Sequence, residues 1–270
     1  MGVSVYDILP CVSLEALVRR DRAVAGVGLA GVVVLAWAYL LRMARGMGGM
    51  DMAAGMGMAM PMDEAWTAAQ FALTLLMWAV MMVAMMVPSA GPMILTFATI
   101  NRRRAASGTP AVPTAVFLAG YLVTWSAVSL LATLLQWALG ATALLVPATL
   151  QVTPIAGGVL LLAAGAWQLT PLKYACLARC QSPLGFILSE WREGARGALV
   201  MGARHGAYCV GCCWALMALL FVAGVMNLVW VAAIAGFVLV EKLAPPGRLV
   251  SWGAGAALLA WGAWVLFRAW

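Results

Sequence analysis

The sequence predicts an all-α polytopic membrane bundle of about seven transmembrane helices with a cytoplasmic N-terminus, on three observations. First, 65% of the 270 residues are hydrophobic, only 9% are charged, and the mean hydropathy is +1.00, whereas a soluble domain carries about a quarter charged residues. Second, seven apolar runs approach the roughly 20 residues that cross a hydrocarbon core: 23–41, 65–87, 114–139, 152–169, 206–224, 225–240 and 250–267. The fourth and sixth are the shortest. Third, with the N-terminus inside, 13 of the 16 Lys and Arg residues face the cytoplasm, and only Arg42, Arg45 and Arg268 face out. That asymmetry supports both the span count and the direction.

Residues 1–22 read as a short amphipathic cytoplasmic segment and 23–41 as the first anchor. Asp7, Glu15 and Asp21 precede that anchor and no small-x-small site closes it, so an uncleaved span is expected rather than a signal sequence. Residues 42–64 form an outer Met-rich loop. Between Met43 and Met62 eight of twenty residues are methionine, set among Gly and Ala with no regular apolar stripe, which suits a tether rather than a packed element. Residues 65–268 make a six-helix membrane domain. Pro61, Asp63 and Glu64 open its first helix, with the acids where the helix dipole favours them. Pro88 and Pro92 are expected to end that helix near Val87, since each removes a backbone donor. The loop 170–197 is the only sizeable cytoplasmic one, and Glu190-Trp191-Arg192-Glu193 within it reads as an interfacial helix with a Trp anchor. No internal repeat is evident, and Trp252, Trp261, Trp264 and Trp270 fall near span ends as an aromatic belt would.

Sulfur dominates the residues able to carry chemistry. In the loop, Met50, Met52, Met56, Met58, Met60 and Met62 offer soft uncharged thioethers, a donor type suited to Cu(I). In the second span, Met77, Met81 and Met85 stack at i, i+4 and i+8, with Met82 and Met86 in a neighbouring column. Packing alone would also account for such columns, because Met fills irregular gaps well. The fifth span opens with His205, the only histidine. His205, Cys209 and Cys212 fall within about 60° on a helix, with Cys213 beside them, and imidazole with thiolates is a soft-to-borderline metal set. Cysteines in a membrane helix can equally serve as small packing residues. Cys176 and Cys180 add an i, i+4 thiol pair, with Lys173 and Arg179 placed to favour thiolates. Five of the six cysteines thus gather at one membrane face, where a reducing cytosol favours free thiols. Cys11 stands apart. Gln70, Gln136 and Asn227 are the isolated polar residues near the membrane, and Glu241-Lys242 reads as an interfacial charge pair.

One histidine and few acids exclude a Ser-His-Asp set, and no phosphate-binding Gly motif exists, so an ATP-driven pump is excluded on this chain. The basic residues form no continuous patch, so no nucleic-acid partner is expected.

With these residues in view, the chain resembles a bacterial family described as predicted metal-binding integral membrane proteins, a domain of unknown function. The resemblance rests on Met86-Val87-Pro88-Ser89-Ala90-Gly91-Pro92-Met93, on Cys176 and Cys180, on the string from His205 to Trp214, and on Glu241-Lys242. It covers roughly residues 64–242 and implies metal binding without a mechanism. A looser similarity is to eukaryotic-type copper importers, which combine an outer Met-rich segment, a membrane Met-x-x-x-Met pair and a cytoplasmic Cys/His cluster; the likeness is one of ligand logic and not of fold.

The expectation is a multi-pass protein of a bacterial inner membrane that binds Cu(I), for import or delivery, from the outer methionines through a Met-lined helix to the Cys/His cluster, where Zn is a second candidate ion. Besides the lipid bilayer, a periplasmic or cytoplasmic copper chaperone and a second copy of the chain are candidate partners. Two other readings stand beside it: a membrane thiol-disulfide oxidoreductase using Cys209-x-x-Cys212, and a metal-free assembly subunit of a membrane complex.

Overall fold

A computed structural model describes residues 14–55, 66–110, 112–142, 144–146, 150–244 and 247–270. The first helix, α1 (Leu14–Gly55), is 42 residues long, and its apolar part covers Ala23–Gly46. The chain stays helical past residue 41 and into the methionine segment. Leu, Met, Arg and Ala at positions 40–45 are all good helix formers, so nothing there breaks the helix. Met50 and Met52 fall on α1, whereas Met56, Met58, Met60, Met62, Asp63 and Glu64 lie outside the described residues, as does Cys11.

The second helix, α2 (Ala68–Ala106), is 39 residues long and starts with a capping box in which Thr67 accepts from the Gln70 amide and Gln70 reaches back to Thr67. It runs unbroken through Pro88 and Pro92, which corrects the break expected at Val87. Inside a membrane protein, neighbouring groups re-satisfy the backbone that proline disturbs. The carbonyls that lose their helical donor are those of Ala84 and Pro88, four residues before each proline; between them, the Met86 carbonyl accepts from the Ser89 hydroxyl at 2.9 Å and from the Tyr121 hydroxyl at 3.1 Å, which ties this turn to α3.

After α3 (Thr114–Ala141), a two-residue antiparallel ladder pairs Leu145–Val146 with Gln151–Val152. Next come α4 (Pro154–Gln168), α5 (Pro171–Gln181) and α6 (Pro183–Glu190). Each of these three begins on proline, whose missing N–H costs nothing in a first turn. The segment 170–197 is thus mostly two folded helices that bury Lys173, Leu177, Cys180, Phe186 and Ile187. Trp191 to Glu193 are not helical, contrary to the interfacial helix expected there. They are an ionic corner: Trp191 stacks on Phe97 at 5.8 Å, Arg104 lies over its ring and pairs with Glu193, and Arg204 pairs with Glu190. The chain ends with α7 (Gly194–Ala218), α8 (Leu220–Ala223), α9 (Leu228–Leu243, N-capped by Asn227) and α10 (Gly247–Ala269).

Among the described residues, five helices are long and apolar enough to cross a membrane, or six if α4 and α5, bent by 64°, form one broken span. The fold is an all-helical multi-pass bundle. α9, at 16 residues, reaches only about 24 Å at 1.5 Å per residue. Large apolar side chains such as Val27, Leu35, Leu131, Val229 and Phe267 point outward, which lipid rather than water accommodates.

α2 runs through the core and α3 crosses α7 at close range. At the crossing a Cβ on Gly202 would overlap the Phe117 carbonyl oxygen, and one on Gly120 would overlap that of Leu199. Small residues at such contacts are how membrane helices pack in the absence of a hydrophobic drive between them. Near the other end of α2, Trp78 donates to Gln136 at 2.8 Å, both buried, tying α2 to α3.

Candidate metal site

α2 presents both predicted columns to the interior: Met77, Met81, Met82, Met85 and Met86 are at most 4% exposed. None faces lipid. Met93, seven residues beyond Met86 and therefore on the same face, is buried as well.

On α7, His205, Cys209, Cys212 and Cys213 are all buried, so the helical spacing did place them on one face. The Cys212 and Cys213 thiols both donate to the Cys209 carbonyl, at 3.1 and 2.9 Å. Cys213 Sγ also meets Met86 Sδ at 3.9 Å, which joins the lower end of the thioether column to the thiol group. From α5, Cys180 is buried within reach of Cys212. Cys176 is half-buried against Gly211, where a Cβ would come within 2.6 Å of its sulfur. All five of these cysteines are free thiols. The cations expected beside Cys176 and Cys180 are engaged elsewhere: Arg179 with Ser189 and the Tyr208 ring, Lys173 with Glu241 and Ser251.

His205 is enclosed by aromatic rings. Its ring lies 5.5 Å from that of Tyr121, 5.6 Å from Phe186 and 6.4 Å from Phe117, and neither buried nitrogen has a hydrogen-bond partner. Leaving buried polar atoms unpaired costs about 1–3 kcal/mol each. Among the described residues, no three His, Cys, Asp or Glu side chains converge as a metal group; the soft donors meet instead in pairs, Cys180 with Cys212 and Cys213 with Met86 among them.

Glu241 and Lys242 do not pair with each other. Adjacent helical residues point about 100° apart, and both are buried. Glu241 turns to Lys173 and Ser251. Lys242 turns the other way: its ammonium donates to Cys209 Sγ at 2.9 Å and to Ser89 Oγ at 3.0 Å, while Tyr121 Oη stands 3.2 Å from the same sulfur. Buried ammonium groups need such partners, since an unpaired charge in an apolar interior is very costly. Lys242, Tyr121 and Ser89 are therefore site residues that sequence reasoning missed. For Lys242 a signal existed, because a lysine following a buried-facing glutamate on a helix has to face a different wall. Tyr121 and Ser89 carried no comparable sign.

Fold and site together define a multi-pass membrane protein with a sulfur-lined interior, a donor set that fits a soft cation. Comparison with known proteins narrows the class: residues 75–265 match the PpoB2 family, described as copper chaperone, and the chain belongs to it. The match takes in the Met columns of α2, all five of these cysteines, His205 and Lys242. No curated protein and no solved structure matches the chain.

Proposed function

We propose that this protein moves copper(I) inward across a bacterial inner membrane. In this reading Met50, Met52, Met56, Met58, Met60 and Met62 collect the ion. Met77, Met81, Met82, Met85 and Met86 carry it along α2. Cys213, Cys209, Cys212, Cys180 and Cys176 receive it, with His205 at the edge of the group. The observation that carries the proposal is the 3.9 Å contact between Met86 Sδ and Cys213 Sγ. Metal–thiolate bonds of about 2.3 Å set the sulfurs of a tetrahedral site roughly 3.8 Å apart, so these two atoms sit at ligand spacing where the thioether column ends. The gradient of donors supplies direction: thiolates bind a soft ion more firmly than thioethers and draw it toward the cysteines. Import for the cell and delivery to a copper enzyme would use the same residues.

Copper accumulation in expressing cells tests this. Met81→Leu together with Met85→Leu is expected to reduce accumulation to the vector level at unchanged protein abundance; undiminished uptake would make the columns packing alone.

A further inference from the structure

We propose that Lys242 determines which cation the thiol site accepts, admitting monovalent ions and rejecting divalent ones by charge. The inference rests on the copper reading above and names what selects the ion. Lys242 Nζ lies 2.9 Å from Cys209 Sγ and 3.0 Å from Ser89 Oγ, on a side chain that is 5% exposed. The other buried lysine and the buried glutamate, Lys173 and Glu241, are hydrogen-bonded to each other and cancel. Lys242 therefore contributes a fixed positive charge at the sulfur where a cation would bind.

A metal bonded to Cys209 Sγ at about 2.3 Å cannot be farther than about 5 Å from that ammonium. Repulsion scales with the charge of the incoming ion, so a divalent ion meets twice the penalty of a monovalent one. At 5 Å and an effective dielectric near 20, one unit of charge is worth on the order of a hundredfold in affinity. Solvent does not relieve it, because Cys209 and Ser89, which hold the ammonium, and Tyr121, which covers the same sulfur, are themselves buried. The cost of freeing the thiol of its proton is common to both kinds of ion and drops out of their ratio. The ratio thus isolates Lys242, and a lysine that merely held α9 against α7 would leave it unchanged.

The experiment measures Ag(I), a redox-silent counterpart of Cu(I), and Zn(II) binding to the detergent-purified, reduced protein by competition with a chromophoric chelator. Lys242→Gln and Lys242→Leu are both neutral, and either suffices if the other fails to fold. In each, the Zn(II)-to-Ag(I) affinity ratio should rise tenfold to a hundredfold, while Lys242→Arg should keep the wild-type ratio. A ratio within threefold of wild type in a folded neutral variant overturns the proposal, as does wild-type protein that binds Zn(II) at least as tightly as Ag(I). Wild-type protein that binds neither ion overturns instead the copper reading on which the proposal rests.

Discussion

The Lys242 ammonium on α9 donates to the Cys209 sulfur on α7 at 2.9 Å, across 33 residues of sequence, while its neighbour Glu241 binds Lys173 on α5. One dipeptide therefore holds two walls of the bundle. Because successive helical side chains diverge by about 100°, the glutamate fastens the helix that carries Cys176 and Cys180, and the lysine reaches the helix that carries the remaining thiols. Anchorage and chemistry are thereby coupled at the end of α9.

Breaking the anchor should be costly. Glu241→Gln leaves Lys173 charged and buried without a counter-ion, and such a loss is worth about 3–5 kcal/mol. The joint replacement Lys173→Met with Glu241→Leu removes both charges and should restore most of that stability. Half-lives of the purified protein at elevated temperature report the difference. A Glu241→Gln protein as durable as wild type would show the pair to be dispensable.

Gly202→Ala forces a Cβ into the Phe117 carbonyl oxygen, so α3 and α7 must separate. Overpacking costs about 1–3 kcal/mol in general, and a clash with backbone sits at the upper end. Since Tyr121 covers Cys209 from α3, separation should also bare that thiol. Alkylation of Cys209 by a membrane-permeant maleimide should accelerate severalfold over wild type. Unchanged labelling would place the close approach elsewhere.

Trp78→Phe removes the donor to Gln136 and leaves a buried amide oxygen unsatisfied. The expected loss is about 1 kcal/mol, in line with hydrogen bonds inside membrane proteins. Adding Gln136→Leu should recover part of it, because no orphan then remains. Thermal midpoints of the single and double variants in detergent give the comparison, and a double variant weaker than the single would contradict this account.

Met86→Leu keeps the volume and deletes one sulfur of the Met86 and Cys213 pair. All six cysteines stay, so titration with a thiol reagent should return the same count as wild type. Ag(I) affinity should nonetheless fall about tenfold, the equivalent of a contact worth ~1.4 kcal/mol. An unaltered affinity would remove Met86 from the ion's path.

By itself the sequence determined the solvent in which this chain folds and the faces its helices bury. With 9% charged residues no aqueous core was available, and 3.6-residue periodicity set Met77, Met81 and Met85 on one strip and His205, Cys209 and Cys212 on another before any contact was known. Those inferences hold because composition and periodicity are properties of one segment at a time. Helix ends were less legible. Pro88 and Pro92 read as a stop, but α2 runs through both, because packing against neighbouring helices outweighs the local cost of a missing donor, and local rules do not see those neighbours. Only the tertiary structure decided which buried groups meet. It set Met86 beside Cys213, enclosed His205 among three rings, and sent Lys242 to Cys209 rather than to Glu241. The physical reason is that hydrogen bonds and charge pairs reach about 3 Å, so partners are chosen by how helices cross, and the crossings depend on small residues such as Gly120 and Gly202 whose role is invisible until two backbones touch.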